Sequence, residues 1–310
     1  MDTERKTVAR TGLIYDEAML RHDTGTGHPE RPARLDAVHR ALDKAALDLQ
    51  SIPFSVADRA DLLRVHTEAY VATVERMCAA GSGYLDPDTP VVAASWKAAL
   101  LAAGGSIAAC RAVLDKTIDN AFCAIRPPGH HAEADHAMGF CLFNNVAIAA
   151  RWLQRQGGVK RVAIVDWDIH HGNGTQHTFY EDDSVYYVSL HQHPLYPGTG
   201  RASERGRNNT NLNLPFPPGT PPEAWVEAVD AKVMPELKRF EPDFLLISSG
   251  FDAHHDDPLG SQRLEAVHYA EMTRLVRSLA DGRIVSLLEG GYNLNALAES
   301  ATAHVRALRS

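Results

Sequence analysis

Short apolar runs typical of β-strands alternate with long segments of helical periodicity along most of this chain. The runs are rich in branched apolar residues and comprise GLIY (12 to 15), AFCAI (121 to 125), RVAIV (161 to 165), VYYVSL (185 to 190), DFLLIS (243 to 248) and RIVSLL (283 to 288). Helical spacing is strongest over residues 93 to 116, 144 to 156 and 222 to 240. Strands that alternate with helices predict an α/β fold, with a mostly parallel sheet covered by helices on both faces.

The chain is long for one domain, at 310 residues, but α/β folds often reach this length around one sheet. We see no internal repeat, no low-complexity tract and no clear linker, and we expect a single domain over residues 1 to 310. The proline-rich stretch NLPFPPGTPPEAW (213 to 225) predicts a rigid loop that leads into a helix, because proline suits turns and first helical positions.

Hydrophobic residues make up 45% of the chain and charged residues 23%, which permits a sizeable core. The formal net charge is -8 and no dense Lys/Arg block occurs, so we expect no direct binding to nucleic acid. The start, MDTERKTVAR, leads to no apolar segment long enough for a signal peptide or a membrane span, and we expect a cytoplasmic protein without membrane contact. The four cysteines are scattered without a CxxC pair, which favours reduced thiols.

Polar, glycine-rich or histidine-rich segments follow five of the predicted strands. In chain order they are RPPGHH, DWDIHHGNG, HQHPLYPGTG, SGFDAHHDDPLG and EGGYNL. Ligands of open α/β sheets bind beyond the carboxyl ends of the strands. We therefore expect the functional site at this edge of the sheet.

Two aspartates and a histidine occupy alternate positions in VDWDIHH. If the chain stays extended beyond Val165, then Asp166, Asp168 and His170 share one face. An Asp-x-His pair can bind a metal, but such residues are also common as solvated loop groups or helix caps. A second acidic cluster follows a different strand and comprises Asp252, Asp256 and Asp257. Oxygen and imidazole ligands from separate strand ends are typical of a catalytic zinc site with one open position.

RPPGHH contributes the adjacent histidines His130 and His131 behind a stiff Pro-Pro-Gly turn. A histidine pair is more often a surface or hydrogen-bonded core feature. Beside a metal, two histidines backed by carboxylate or amide groups would instead transfer protons around a bound water. Tyr292 follows two glycines that let the backbone bend closely and turn the phenol inward, although most tyrosines are packing residues.

Seven segments, taken in order, resemble the motif set of the zinc-dependent histone deacetylase family. They are GHPERPARL, RPPGHH, GFCLFNN, VDWDIHHGNGTQ, SLHQHPLYPGTG, SSGFDAHHDDPLG and LEGGYNL. The resemblance is closest to the class II and bacterial histone-deacetylase-like amidohydrolase branch, and it runs from about residue 10 to the C-terminus. It implies the arginase/deacetylase fold, with one central, mainly parallel sheet flanked by helices and one zinc ion at the base of a narrow tunnel.

The resemblance also implies roles for individual residues. His131 matches the general base and acid, His130 its mainly electrostatic neighbour, and Tyr292 the tyrosine that polarises the scissile carbonyl. Asp166 falls where an aspartate supports His130. Asn173 backs His131 where class I members have an aspartate, so we expect His131 to be less basic. The residues that match the zinc ligands are Asp168, His170 and Asp257.

Further matches concern the tunnel and a second ion. Gly139, Phe140 and Tyr196 match the tunnel wall, where aromatic faces would hold the stem of an acyl-lysine. Leu259 stands at the tunnel mouth, where polyamine-specific relatives often have a glutamate, and this departure weakens a polyamine interpretation. We assign His171 no role beyond packing or hydrogen bonding. A structural monovalent-cation site, expected to bind potassium, matches Ser189 and Leu190 with Asp166, Asp168 and His170.

These matches predict a zinc-dependent deacylase that hydrolyses N-ε-acetyl-lysine in a protein or peptide to lysine and acetate. His131 would deprotonate a metal-activated water and Tyr292 would stabilise the oxyanion. Three alternatives stay open. They are an acetylpolyamine or other small-amide amidohydrolase, an arginase-like binuclear manganese enzyme, and a catalytically silent acyl-lysine-binding scaffold. The second ion of an arginase would lack ligands here, because Gly172 and His254 stand where bridging carboxylates are needed. The acyl-chain preference, the physiological substrate and the oligomeric state are left open, a homo-oligomer included.

Overall fold

The computed structural model describes residues 8–155 and 158–310. Within these residues the β-strands are β1 (Thr11–Ile14), β2 (Gln50–Ser51), β3 (Ser82–Tyr84), β4 (Pro90–Val92), β5 (Asn120–Cys123), β6 (Val162–Asp166), β7 (Val185–Gln192), β8 (Asn211–Phe216), β9 (Phe244–Ser249) and β10 (Ile284–Leu288). The α-helices are α1 (Pro32–Lys44), α2 (Arg59–Leu62), α3 (Glu68–Ala79), α4 (Ala93–Leu114), α5 (Asn145–Arg155), α6 (Asn173–Phe179), α7 (Pro222–Ala228), α8 (Met234–Phe240), α9 (Ala266–Val276) and α10 (Leu294–Arg309).

Eight of these strands form one sheet in the order β2-β1-β5-β10-β9-β6-β7-β8. Each pairing between its described strands is parallel. Strands β6, β9 and β10 are buried along their whole length, because a central parallel strand is covered on both faces, and this explains their unbroken apolar runs. The predicted α/β fold with a central, mainly parallel sheet is confirmed.

Two groups of helices flank the sheet. Helices α4 and α5 pack together and contact strands on one side, while α1, α9 and α10 form a second group that reaches β5 through α10. By length and composition α4 could cross a membrane, but 67% of its most apolar window is buried within the protein. That degree of burial is typical of a core helix.

The predicted strands and helices agree with the structure to within about two residues at most ends. The helix predicted over 144 to 156 is α5, and residue 156 lies outside the described residues. The helix predicted over 222 to 240 is continuous, with a π-helical turn at Val229–Val233 between α7 and α8. We did not predict β2, β3 or β4, which have at most three residues each and carry no clear periodicity.

The loop predicted over residues 213 to 225 is wrong in its first part. Asn211–Phe216 forms β8, which pairs with β7 along the edge of the sheet. Pro215 is tolerated there because an edge strand needs partners on one side only. The second part of the prediction is confirmed, since α7 begins at Pro222.

Candidate active site

The five strands whose carboxyl ends carry polar segments are neighbours in the sheet, in the order β5-β10-β9-β6-β7. The loops after them surround a cavity of about 260 Å³. Its lining residues are Asp88, His131, Gly139, Phe140, His170, Leu195, Tyr196, Leu259 and Tyr292. Apart from Asp88 and Leu195, each was singled out from the sequence as a catalytic, metal-ligating or tunnel residue.

A buried carboxylate orients His130. The imidazole Nδ1 donates to Asp166 Oδ2 at 3.0 Å, and the Tyr187 hydroxyl donates to the same oxygen at 3.0 Å. Glu289, which the sequence reasoning did not assign, accepts from the backbone nitrogens of Gly129 and His130 at 2.7 and 3.2 Å. Burial lowers the pKa of His130, but the neighbouring aspartates outweigh it and raise the pKa to about 10. The two aspartates therefore favour the charged form of the His130 ring.

His131 has a different hydrogen-bond partner, and its pKa is shifted in the opposite direction to that of His130. Its Nδ1 donates to Asn173 Oδ1 at 2.8 Å, and its ring centroid lies 4.1 Å from that of His130. Burial and the nearby His130 and His170 lower the pKa of His131 well below its ordinary value. The hydrogen bond to Asn173 acts in the raising direction. That it raises the pKa less than an aspartate at this position would stays a prediction.

The chain does not stay extended beyond Val165, so that part of the prediction is wrong. Strand β6 ends at Asp166, and the following residues form bends. Asp168 and His170 nevertheless meet, because Asp168 Oδ1 accepts from His170 N at 2.9 Å and lies 3.0 Å from His170 Nδ1. Backbone turns of this kind, not period-2 alternation, bring the two side chains together.

Donor atoms of Asp168, His170 and Asp252 lie within 4.8 Å of one another. Asp252 Oδ2 lies 3.2 Å from His170 Nδ1, and it has no hydrogen-bond partner among the described residues. Two buried carboxylates with one imidazole are a donor set that zinc accepts in proteins. These residues therefore fit a metal ion.

Asp257, the third zinc ligand implied by the resemblance, holds the loop after β10. Its Oδ2 accepts from the backbone nitrogens of Tyr292 and Asn293 at 2.6 and 3.4 Å, and its Oδ1 from Leu259 N at 3.0 Å. The carboxylate is close enough to Asp252 to help raise the pKa of that residue. Its role as a ligand stays a prediction.

Tyr292 lies beneath an arginine to which the sequence analysis gave no role. The Arg34 guanidinium is 4.8 Å from the centre of the Tyr292 ring and donates to the backbone oxygens of Glu289 and Gly291, at 2.5 Å each. Burial raises the pKa of Tyr292 well above its ordinary value, although Arg34 opposes this. The phenol is therefore protonated and can donate a hydrogen bond. GHPERPARL marked Arg34 as part of a motif, but no local rule places it against residues more than 250 positions away.

The remaining cavity wall is narrow and mostly apolar. Gly139 has φ +53°, and a Cβ atom there would lie 2.4 Å from His131 Cδ2, so the wall requires glycine at this position. The Tyr196 ring lies 5.2 Å from the His131 ring, and the Phe140 ring 5.9 Å from that of Tyr292. Leu259 completes this lining.

Of the residues of the predicted potassium site, His170 lines the cavity, and the others are buried and do not line it: Asp166, Asp168, Ser189 and Leu190. Ser189 and Leu190 belong to β7, and Ser189 is the register partner of Asp166 on β6. The Ser189 hydroxyl is hydrogen-bonded to His191 Nδ1 at 2.9 Å. A potassium ion at these residues stays a prediction.

The comparisons with known proteins point to one family. The model of the histone deacetylase domain matches residues 28–308. A probable deacetylase of Archaeoglobus fulgidus is 44% identical over an alignment of 296 positions, gaps included, that covers 92% of this chain and 82% of that protein. A histone deacetylase-like amidohydrolase of Pseudomonas aeruginosa is 39% identical over an alignment of 313 positions, gaps included, that also covers 92% of this chain and 82% of that protein.

The crystal structure of the HDA15 HD domain superposes with a TM-score of 0.94 at 39% sequence identity and covers 97% of this chain and 89% of that one. A family model that matches nearly the whole chain, relatives near 40% identity and a shared fold lead to one conclusion. The chain belongs to the histone deacetylase family and is a hydrolase that acts on amides.

Proposed function

We propose that the protein hydrolyses the side-chain amide of N-ε-acetyl-lysine, in a protein or peptide, to lysine and acetate. The observation that supports this most is the convergence of His131, His170 and Tyr292 on one narrow, apolar-walled cavity. An acetyl-lysine stem would lie between Phe140 and Tyr196, with its amide at the base. Asp168 and His170 would bind zinc together with an aspartate of the 252–257 segment, for which the resemblance implies Asp257.

His131, Tyr292 and His130 would each have a separate role in the reaction. Zinc, when bound, supplies a Lewis acid that polarises the amide carbonyl and makes water more acidic. Neutral His131 accepts the proton of the attacking water at Nε2 and later donates it to the leaving lysine nitrogen. The Tyr292 phenol donates a hydrogen bond to the carbonyl oxygen as negative charge develops there. Charged His130 adds positive potential, and the aromatic wall excludes bulk water.

The test is hydrolysis of an acetyl-lysine peptide by zinc-loaded protein, compared with Tyr292→Phe. Losing one oxyanion donor lowers kcat by about 100-fold or more. Tyr84→Phe is the matched control, because Tyr84 is 66% exposed and lies outside the cavity. Full activity of Tyr292→Phe, or binding of the peptide without hydrolysis by the wild type, would overturn the proposal and favour a silent acyl-lysine-binding scaffold.

A second candidate substrate is an acetylated polyamine, favoured by one residue that the sequence analysis missed. Asp88 lines the cavity, although Leu259 provides no acidic group there. Burial and Asp86 raise the pKa of Asp88 to about 6, so it is mostly ionised at neutral pH and can attract a second ammonium group. Comparing kcat/KM for an acetyl-lysine peptide and for acetylspermidine separates the two. A loss confined to acetylspermidine in Asp88→Asn would assign the polyamine as substrate.

A structural potassium ion at Asp166, Ser189 and Leu190 belongs to the same proposal. Asp166 already accepts hydrogen bonds from His130, Tyr187 and Asp168 N, so one carboxylate joins the ion site to the active site. We expect activity to depend on potassium when sodium and choline salts are compared at equal ionic strength. Equal activity in all three salts would remove potassium from the proposal.

A further inference from the structure

The groups around the side-chain amide of Asn173 permit only one orientation of that amide. Its Nδ2 group faces three acceptors: His131 O at 3.3 Å, Met138 Sδ at 3.3 Å and a carboxylate oxygen, Glu133 Oε1. Its Oδ1 faces His131 Nδ1 at 2.8 Å. An amide orientation is assigned from its hydrogen-bond network, and here every contact agrees.

The reversed amide would be strongly disfavoured by Glu133. Asn173 Oδ1 would then face a carboxylate, a carbonyl and a thioether, and none of these can donate a hydrogen bond. Of the three, the carboxylate carries a full charge and is 8% exposed as a residue, so it contributes most to the preference. Glu133 therefore decides which end of the amide His131 meets.

The orientation of Asn173 in turn decides which nitrogen of His131 carries the proton. Because Oδ1 can only accept, His131 Nδ1 must donate, and in the neutral ring Nε2 then keeps its lone pair. That lone pair is what a general base at the cavity needs. A reversed amide would donate to Nδ1 and place the proton on Nε2.

The surrounding backbone holds Glu133 in place. A Cβ atom on Gly174 would lie 2.1 Å from Ala132 O, so the start of α6 packs directly against the segment that carries Glu133. His177, one turn further along α6, donates from Nδ1 to Glu133 Oε1 at 2.8 Å. The same carboxylate oxygen thus accepts from both Asn173 and His177.

We propose that Glu133 is a positioning residue that orients the Asn173 amide and so holds His131 in the tautomer with a free Nε2. The inference rests on the proposed function, in which His131 is the base.

The test is a double-mutant cycle on kcat for an acetyl-lysine peptide. Glu133→Met removes the acceptor, and we expect kcat to fall by about 10- to 100-fold, as is typical when a supporting partner is lost. Glu133→Gln keeps an acceptor oxygen and should retain most of the activity. Asn173→Asp alone places two carboxylates in contact and should be impaired. Glu133→Met combined with Asn173→Asp should be more active than either single variant, because a carboxylate accepts through both oxygens and needs no orienting.

Thermal melting checks that each variant folds. If Glu133→Met fails to fold, the cycle is run with Glu133→Gln in its place. In the double variant with Asn173→Asp, the amide introduced at position 133 can donate to the carboxylate introduced at position 173, so we again expect more activity than in Asn173→Asp alone. Additive losses in the cycle, with an active wild type, would overturn the role of Glu133 and leave the proposed function intact. A wild type without deacylase activity would reject the proposed function. In that case the role of Glu133 is tested by the His131 tautomer, which long-range proton–nitrogen NMR measures. We expect the proton on Nδ1 in the wild type and its loss from Nδ1 in Glu133→Met.

Discussion

Two of the buried histidine networks among the described residues differ in their partners and in their pKa shifts. At the strand ends, His130 is bonded to the Asp166 carboxylate, and His131 next to it lines a cavity. In the core, His304 on α10 is bonded to two hydroxyls, with Nδ1 2.6 Å from Thr273 Oγ1 and Nε2 2.8 Å from Ser286 Oγ. Burial alone lowers the pKa of His304 to about 3, whereas that of His130 is raised to about 10.

The contrast shows what separates a reactive histidine from a structural one. A hydroxyl satisfies a neutral imidazole but does not stabilise a positive charge, so the His304 ring stays neutral and links α10 to α9 and β10. A carboxylate stabilises the charged ring and fixes its orientation. Both rings are buried, so the difference between the pKa values of His130 and His304 comes from the partner and not from burial. His131, whose pKa is lowered like that of His304, differs from His304 because it lines the cavity.

The largest expected effect is the loss of activity in His131→Ala. Removing a general base and acid typically costs about 10²- to 10⁴-fold in rate, and we expect a loss of kcat in this range with an acetyl-lysine peptide. His304→Ala, assayed well below its melting temperature, should keep near-normal kcat, because no part of its network lines the cavity. Comparable losses in both variants would break the distinction between the two networks.

The second prediction concerns stability. For this property we expect a large effect of His304→Ala, the variant that should hardly change kcat. His304→Ala removes one buried hydrogen bond from each of Thr273 and Ser286, which keep Tyr269 O and Ser249 Oγ as partners. Each lost hydrogen bond costs about 0.5–1.5 kcal/mol, and the truncated ring leaves a cavity that adds to this cost. We expect the free energy of unfolding in urea to fall by about 2 kcal/mol or more. Thr302→Ala, a half-buried position on the same helix, is the control and should change it by about 0.5 kcal/mol or less. A smaller change in His304→Ala than in the control would contradict the structural role.

The third prediction is the pH dependence of that stability. The folded pKa of His304, about 3, lies below the ordinary value of 6.5, so the unfolded chain binds a proton that the folded protein does not. The contribution of His304 is therefore complete above about pH 6.5 and is lost as the pH falls towards 3. Between pH 6 and 4.5 the wild type should lose about 1.4 kcal/mol per pH unit more than His304→Ala does. Parallel curves for the two proteins would show that His304 is charged when folded.

The sequence predicted more of the fold than of the contacts within the site. The apolar runs of β6, β9 and β10 and the polar segments after them follow local rules, and they located the site correctly at one edge of the sheet. The interactions of Arg34 with Tyr292 and of Glu133 with Asn173 could not be predicted in this way. They join segments far apart in the chain, and the orientation of a side-chain amide depends on all its neighbours at once.

His171 lies next to a site residue in the chain but has hydrogen-bond partners like those of the core residue His304. It follows His170 in the chain, yet its partners are those of a core histidine: Thr199 Oγ1 at 2.7 Å and Gln176 Oε1 at 3.0 Å. Burial lowers its pKa to about 3, as for His304. Through His171, Gln176 on α6 is linked to Thr199, which lies in the loop that carries Tyr196.

Thr199→Val therefore tests whether the bond between His171 and Thr199 positions Tyr196 in the cavity wall, which affects substrate binding, or affects the chemical step. Loss of one hydrogen bond costs about 0.5–1.5 kcal/mol, and we expect KM for an acetyl-lysine peptide to rise by about 2- to 10-fold with kcat nearly unchanged. Thr220→Val, at an exposed turn, is the matched control and should alter neither constant. A fall in kcat as large as that of His131→Ala would place His171 with the reactive histidines, because only a group acting on the reacting atoms changes the chemical step so strongly. An unchanged KM would show instead that Tyr196 is positioned without this bond.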